Sequence, residues 1–256
     1  MRPNKVMQCV REGRLALGLA VNFYCPPLVE LGGALGFDWA FIDCEHGSMD
    51  PSEVEHMVRA AEAYDITPLA RVEENSPSAI LRLLDRGVMG VMVPHVSTAE
   101  EARRAVRSSK FHPVGERSTA GGYRTNNYGV GRTVRDFYES TNREVMVIAL
   151  VESVEGLENA AEIAAVEGLD ALWVGPSDLA QSMGMPPQGE VDAAIEAIVR
   201  AARQAGKPVG VGGIGARDYD RQSHFIGVGA NLVMAQATDL LKEAGAEFLA
   251  KVRSLG

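Results

Sequence analysis

Short apolar runs alternate with amphipathic segments along the whole chain, and this alternation constrains the fold more than any other feature. A strand buried on both faces is apolar at nearly every position, whereas a half-buried strand is polar at every second one. Eight runs of the first kind stand at Leu15–Phe23, Trp39–Asp43, Thr67–Val72, Gly90–Pro94, Val145–Val151, Ala171–Gly175, Pro208–Gly212 and Asn231–Ala235. Buried strands separated by helical segments are parallel, because a crossover helix must return the chain to the same end of the sheet. Eight such βα units predict a (β/α)8 TIM barrel of the α/β class; a doubly wound open sheet is the alternative strand order. With 256 residues, 46% of them hydrophobic, the chain suits one barrel, so residues 1–256 are expected to form a single domain.

The intervening segments carry helix signals. Asp50-Pro51-Ser52-Glu53 offers an N-cap, a proline in the first turn and an acid that reaches back to the cap, and Ser76-Pro77 repeats the first two features. Ser97 or Thr98 is expected to cap the segment Glu100–Ser108, and Gly87 and Gly206 fall where left-handed C-terminal residues are needed. One connection departs from the pattern. Phe111 to Asp136, rich in glycine and arginine and carrying Tyr123 and Tyr128, shows no period and is too long for an ordinary link, so it is expected to cover the active site.

Charge and cysteine usage narrow the function. A formal net charge of −9 without a dense Lys/Arg block argues against a nucleic-acid partner. No apolar stretch is long enough to span a membrane, and Met1 to Gly13 holds Arg2, Lys5, Arg11 and Glu12 instead of the hydrophobic segment of a secretory signal. Cys9, Cys25 and Cys44 are odd in number and lack CxxC spacing, which fits a reducing compartment, so a cytoplasmic location is expected. The lysines are Lys5, Lys110, Lys207, Lys242 and Lys251; none ends a strand, so a Schiff-base nucleophile is not apparent. The glycines between Gly210 and Gly215 come late and lack a following acidic ribose partner, so they are expected to form a tight βα turn whose N–H groups face a substrate carboxylate.

In such a barrel the chemistry gathers at the carboxyl ends of the strands. Those ends carry Asp43-Cys44-Glu45-His46, Arg71, His95, Glu152 and Gly175-Pro176-Ser177-Asp178, whereas the opposite ends carry residues such as Asp38 and Lys207 with no such mixture. Glu152 follows five apolar residues and needs a cationic partner where it is buried. Asp178 lies just beyond the neighbouring strand, about 4.8 Å away, so the two carboxylates can converge on a hard divalent cation such as Mg²⁺ or Mn²⁺; a salt bridge or a helix cap is the structural alternative. Arg71 has the fixed fork that stabilises an oxyanion, unless Glu73 or Glu74 takes it up. His46 has the titration range for proton transfer. Asp85 sits in the last turn of a helix ending at Gly87, where the helix dipole disfavours an acid; either Arg82 and Arg86 compensate, or Asp85 orients His46 by accepting its second ring proton.

The motifs Phe41-Ile42-Asp43-Cys44-Glu45-His46-Gly47, Ala70-Arg71-Val72, Val93-Pro94, Val151-Glu152-Ser153, Ala164-Ala165-Val166-Glu167-Gly168-Leu169-Asp170 and Val174-Gly175-Pro176-Ser177-Asp178-Leu179 are on this basis read together. Through them the chain resembles the HpcH/HpaI aldolase family from about residue 5 to residue 250. The resemblance implies a class II aldolase that reversibly cleaves a 4-hydroxy-2-oxo acid to pyruvate and an aldehyde through a metal-bound pyruvate enolate, with Mg²⁺, Mn²⁺ or Co²⁺ as cofactor. By position it implies Glu152 and Asp178 as metal ligands, Arg71 as the enolate-stabilising arginine and His46 with Asp85 as the proton-transfer pair. It also implies that the turn Gly175-Pro176-Ser177-Asp178 receives the pyruvate carboxylate through backbone N–H groups. Family members are commonly hexamers, so a homo-oligomer is expected, with Thr238–Leu255 packed on a neighbouring subunit. Two positions depart from the family pattern: Leu150 replaces a usual glutamine, and His95 replaces an apolar residue and is expected to read a polar group on the aldehyde. A CoA-ester lyase of the citramalyl- or malyl-CoA kind is the second reading, although Asn22-Phe23-Tyr24-Cys25-Pro26-Pro27 stands where a basic groove is needed. A non-catalytic barrel that binds a 2-oxo acid is the third.

Overall fold

The computed structural model describes residues 2–255. Eight parallel strands, β1 (Ala16–Val21), β2 (Trp39–Asp43), β3 (Thr67–Arg71), β4 (Gly90–Val93), β5 (Met146–Val151), β6 (Ala171–Val174), β7 (Val209–Val211) and β8 (Leu232–Gln236), follow one another in sequence order around a closed barrel. β1 pairs with β8, Ala20 opposite Gln236, and this closure excludes the open sheet. β8 runs one residue past the expected end, to Gln236, which brings that side chain to the mouth of the barrel.

Because successive side chains of a strand point to opposite faces, each strand feeds two cores. Ala20, Phe41, Leu69, Met92, Leu150 and Trp173 fill the interior, while Val21, Ile42, Ala70, Val93, Val151 and Val174 pack outward against the helices. Two indoles plug the interior, Trp39 and Trp173, meeting edge to face with centroids 5.9 Å apart. They fit because Gly18 and Gly210 lack side chains: a Cβ at either position would come within 2.2 Å of an indole. The helix Lys5–Arg11, not expected from the sequence, closes the amino-terminal end with Val6 and Cys9.

The helix starts follow the local signals. Asp50 forms a capping box with Glu53, Ser76 caps the helix Pro77–Arg86, and Thr98 rather than Ser97 caps the helix Ala99–Ser109, in a capping box with Glu101.

The segment Phe111 to Asp136 does not cover the strands' carboxyl ends. It follows the helix Ala99–Ser109, which has already returned the chain to the opposite face, and its anchors lie there: Arg124 pairs with Glu62 and Arg117 with Asp85. The physical reason is connectivity, since in a βα barrel only links from strand to helix reach the active face. Nor is the segment wholly irregular, since it includes the 3-10 turn Arg124–Gly129 and the start of the helix Val134–Glu144.

The final helix, Ala237–Arg253, buries only Ala237 among its residues. Leu241 (73% exposed), Phe248 (64%), Leu249 and Val252 face solvent, as does Leu17 on the outer face of β1. Among the described residues no helix is long and apolar enough to cross a membrane.

Candidate active site

The carboxyl ends of the strands enclose a cavity of about 250 Å³. Its apolar lining comes from Phe41, Met92, Leu150, Trp173 and Met234, the interior residues that precede the strand ends. Its polar lining includes Asp43, His46, Arg71, Glu152, Ser177, Asp178 and Gln236, so most of the expected site residues converge here.

Arg71 does not pair with Glu73 or Glu74. Its Nε and one terminal nitrogen donate to the two oxygens of Asp43 at 3.0 and 2.6 Å, and its Nη1 lies 2.8 Å from a Glu45 oxygen. Asp43 ends β2 next to Arg71 on β3, in register, which is why the pair forms. Burial alone would raise the Asp43 pKa, but the hydrogen bonds and charge of Arg71 outweigh it and hold the carboxyl below its ordinary value. For Arg71 burial pulls down, and the bond to Asp43 with the charges of Asp43, Glu45 and Glu152 more than restores the guanidinium. Asp43 also accepts the backbone N–H groups of Glu45 and His46, both at 3.2 Å, so the turn that carries His46 hangs from the same carboxylate.

Glu152 is 5% exposed, and its pKa is raised, first by burial and further by the charges of Asp178 and Glu45, against the lowering effect of His95. One oxygen accepts the His95 backbone N–H at 2.9 Å and lies 3.0 Å from His95 Nδ1, while His95 Nε2 lies 3.1 Å from Glu45. Both ring nitrogens are thus committed to carboxylates. In this chain His95 holds Glu152 and Glu45 together, and it is absent from the cavity lining, so the expectation that it reads the aldehyde has no geometric support. The other Glu152 oxygen faces Gly175, where a Cβ would come within 2.6 Å of it. A side chain at this position would displace that carboxylate.

Asp178 does not cap a helix starting at Leu179; it lies inside the first turn of the helix Pro176–Ser182, whose N-cap is Gly175 and which has no side-chain cap. Pro176 has no N–H, and Leu179 donates to the Gly175 carbonyl. That leaves the N–H groups of Ser177 and Asp178 without an acceptor among the described residues, at a helix N-terminus of the kind that favours an anion. The donor set suits a hard cation: one carboxylate just past the end of β5 and one in the first turn of the helix after β6, close enough to raise the pKa of Glu152, beside open space. Among the described residues no group of three or more His, Cys, Asp or Glu side chains forms a metal cage.

Asp85 is not brought to His46. It sits at the end of the helix Pro77–Arg86, on the amino-terminal face, and accepts from Arg117 at 2.8 Å, whose side chain is 2% exposed. Arg117 is therefore the compensating cation, in place of Arg82 or Arg86. Cys44, beside the site, has its thiol pushed up to about 12, chiefly by burial, and is no nucleophile at neutral pH. Sequence reasoning assigned no role to Asp43, Glu45 or Gln236; for Asp43 the signal was available, since it shares the inward parity of Phe41.

The family profile of the HpcH/HpaI aldolases and citrate lyases matches residues 18–239. The chain belongs to the HpcH/HpaI aldolase/citrate lyase family. A 5-keto-4-deoxy-D-glucarate aldolase of Citrobacter koseri is 35% identical over 250 residues, 94% of this chain and 96% of that one. A family protein from Burkholderia cenocepacia J2315 superposes with a TM-score of 0.89 at 32% identity, covering 98% of this chain and 99% of the other. An HpcH/HpaI aldolase from Desulfitobacterium hafniense DCB-2 gives a TM-score of 0.87 at 28% identity over 98% and 97%. This HpcH/HpaI family member is accordingly an aldolase of class II, a carbon–carbon lyase.

Proposed function

We propose that the protein reversibly cleaves a 4-hydroxy-2-oxo acid into pyruvate and an aldehyde, with a divalent cation held by Glu152 and Asp178. The observation that carries this reading is the convergence of those two carboxylates with the unfilled N–H groups of Ser177 and Asp178 and the charge of Arg71 in one cavity. Mg²⁺, Mn²⁺ or Co²⁺ at that position would supply the Lewis acidity that makes the methyl protons of pyruvate removable.

The chain's own residues do the rest. The free N–H groups of Ser177 and Asp178 receive the substrate carboxylate, with Gly175 leaving space for Glu152 beside them. Arg71, fixed by Asp43 and Glu45, presents its remaining N–H groups to the oxygen on which charge develops as pyruvate enolises. His46 moves the proton to or from the aldol hydroxyl. Leu150, Met92 and Trp173 provide an apolar lining that keeps water from competing for the nucleophilic carbon. His95 holds Glu152 in place.

Asp85 and His46 lie on opposite faces of one barrel, so a proton-transfer pair between them forms only across a contact between two copies. The apolar face of the helix Ala237–Arg253 supports such an assembly, because an exposed apolar stripe of this kind marks an interface. The experiment that tests the reading follows exchange of the methyl protons of pyruvate in deuterated water, with and without Mn²⁺. Exchange that depends on the metal is expected; its absence overturns the aldolase reading, since enolisation requires no acceptor.

A further inference from the structure

His95, two residues past β4, has a φ of 55°, in the left-handed region that residues other than glycine rarely occupy. The conformation is held from both sides. Pro94 before it has a ring-fixed φ, and Val96 after it donates to the Leu150 carbonyl at 3.0 Å, so the chain rejoins β5 at once. Backbone of this kind persists where its surroundings over-determine it, and it gathers at functional sites.

The turned backbone brings two nitrogens of one residue to one carboxylate oxygen. The His95 N–H donates to Glu152 Oε1 at 2.9 Å, and ring Nδ1 lies 3.0 Å from the same atom. Glu152 Oε2 is left facing Gly175. On the other edge of the ring, Nε2 lies 3.1 Å from Glu45 Oε1. Glu45 Oε2 is 2.8 Å from Arg71 Nη1, an ion pair without hydrogen-bond geometry, and among the described residues the Glu45 side chain has no further polar partner. An unbroken line of contacts therefore runs from Glu152 through His95 and Glu45 to Arg71.

The exposures along this line differ sharply. The side chains of Glu152 and Glu45 are 3% and 12% exposed, whereas that of His95 is 69% exposed. A ring so exposed fills no core, and because it does not line the cavity it meets no reacting atom. What it touches is two nearly buried carboxylates, which are costly to bury unless something pairs with them.

We propose that His95 is a positioning residue with two separable tasks: through Nδ1 it keeps Glu152 turned toward the cation site, and through Nε2 and Glu45 it fixes the direction of Arg71. The inference rests on the aldolase reading and adds to it a physical link between the cation ligand and the arginine that meets the enolate.

Substitutions at this one position separate the tasks. His95→Gly removes the ring, keeps the backbone N–H and suits a positive φ. His95→Asn also tolerates this backbone and places an amide nitrogen near the position of Nδ1, while His95→Gln places one near that of Nε2. Because the ring is exposed, none of these changes opens a cavity in the core. Mn²⁺ affinity is measured by calorimetry, whose stoichiometry also reports the folded fraction. Pyruvate proton exchange is followed at saturating Mn²⁺ and pyruvate.

His95→Gly is expected to weaken Mn²⁺ binding and to slow saturated exchange, each by about 10- to 100-fold, the usual cost of losing a partner of a metal ligand. His95→Asn should recover Mn²⁺ affinity to within about 3-fold of the parent and leave exchange slow, and His95→Gln should recover exchange and leave the affinity weak. Parental behaviour of His95→Gly, or Asn and Gln variants that recover both quantities together or neither, overturns the assignment. The parent separates the two failures: where its exchange depends on Mn²⁺ only the His95 assignment falls, and where it shows no such exchange the aldolase reading falls too.

Discussion

Asp43 grips Arg71 through both carboxylate oxygens, Oδ1 to Nε at 3.0 Å and Oδ2 to a terminal nitrogen at 2.6 Å, while Oδ1 also accepts the backbone N–H of His46 at 3.2 Å. One buried carboxylate thus sets the direction of the arginine and the path of the turn that presents the histidine. Asp43→Asn is expected to retain metal binding and lose turnover by about 10- to 100-fold, because the arginine fork loses its charged, bidentate anchor. Metal titration combined with steady-state kinetics checks this.

The same pair has a pH signature. The Asp43 pKa lies below its ordinary 3.8 in the folded state, so as pH falls the unfolded chain takes up the proton first. The stabilisation is complete at neutral pH and is lost as pH falls below about 4 and through the depressed folded value. Denaturant titrations of parent and Asp43→Asn should show a gap of about 2 kcal/mol at pH 7 that narrows in this acid window. A gap that widens on acidification contradicts the assignment.

Arg71 and His46 should separate kinetically. Arg71→Ala is expected to keep the metal yet lose both pyruvate proton exchange and carbon–carbon cleavage, since both pass through the same oxyanion. His46→Ala should lose cleavage by about 10² to 10⁴ and keep part of the exchange. Both comparisons are made at saturating metal and pyruvate, with binding measured separately.

Removing Glu152 charge should cost the metal and spare the barrel. Burial and the charge of Asp178 raise the Glu152 pKa, so in metal-free protein the unfolded chain loses this proton first, and stability falls as pH rises from the ordinary 4.5 through the raised folded value. Glu152→Gln is expected to show no Mn²⁺ binding by calorimetry and, in the presence of a chelator at neutral pH, to melt no lower than the parent. Global unfolding of the variant would mean that the carboxylate is structural.

The opposite placement of His46 and Asp85 makes a prediction about assembly. Co-expressed His46→Ala and Asp85→Ala chains should regain up to about a quarter of parental activity in a mixed oligomer, because some interfaces then join an intact histidine to an intact aspartate. Each variant alone should be nearly inactive, and Phe248→Glu on the exposed helix face should shift the parent toward monomer by light scattering.

The chain's own pattern determined the strands and the identity of the active face, because burial on both sides of a strand leaves a continuous apolar run and a polar residue at its end stands out. Glu152, Asp178, Arg71 and His46 were readable for that reason. Only the tertiary structure decided that Arg71 turns to Asp43 and Glu45 instead of Glu73 or Glu74, that His95 clasps two carboxylates, that Phe111 to Asp136 lies across the opposite face, and that Gln236 at the end of β8 lines the cavity. These are relations between residues far apart in sequence. They depend on register between strands and on closure of β8 against β1, and local periodicity carries information about neither.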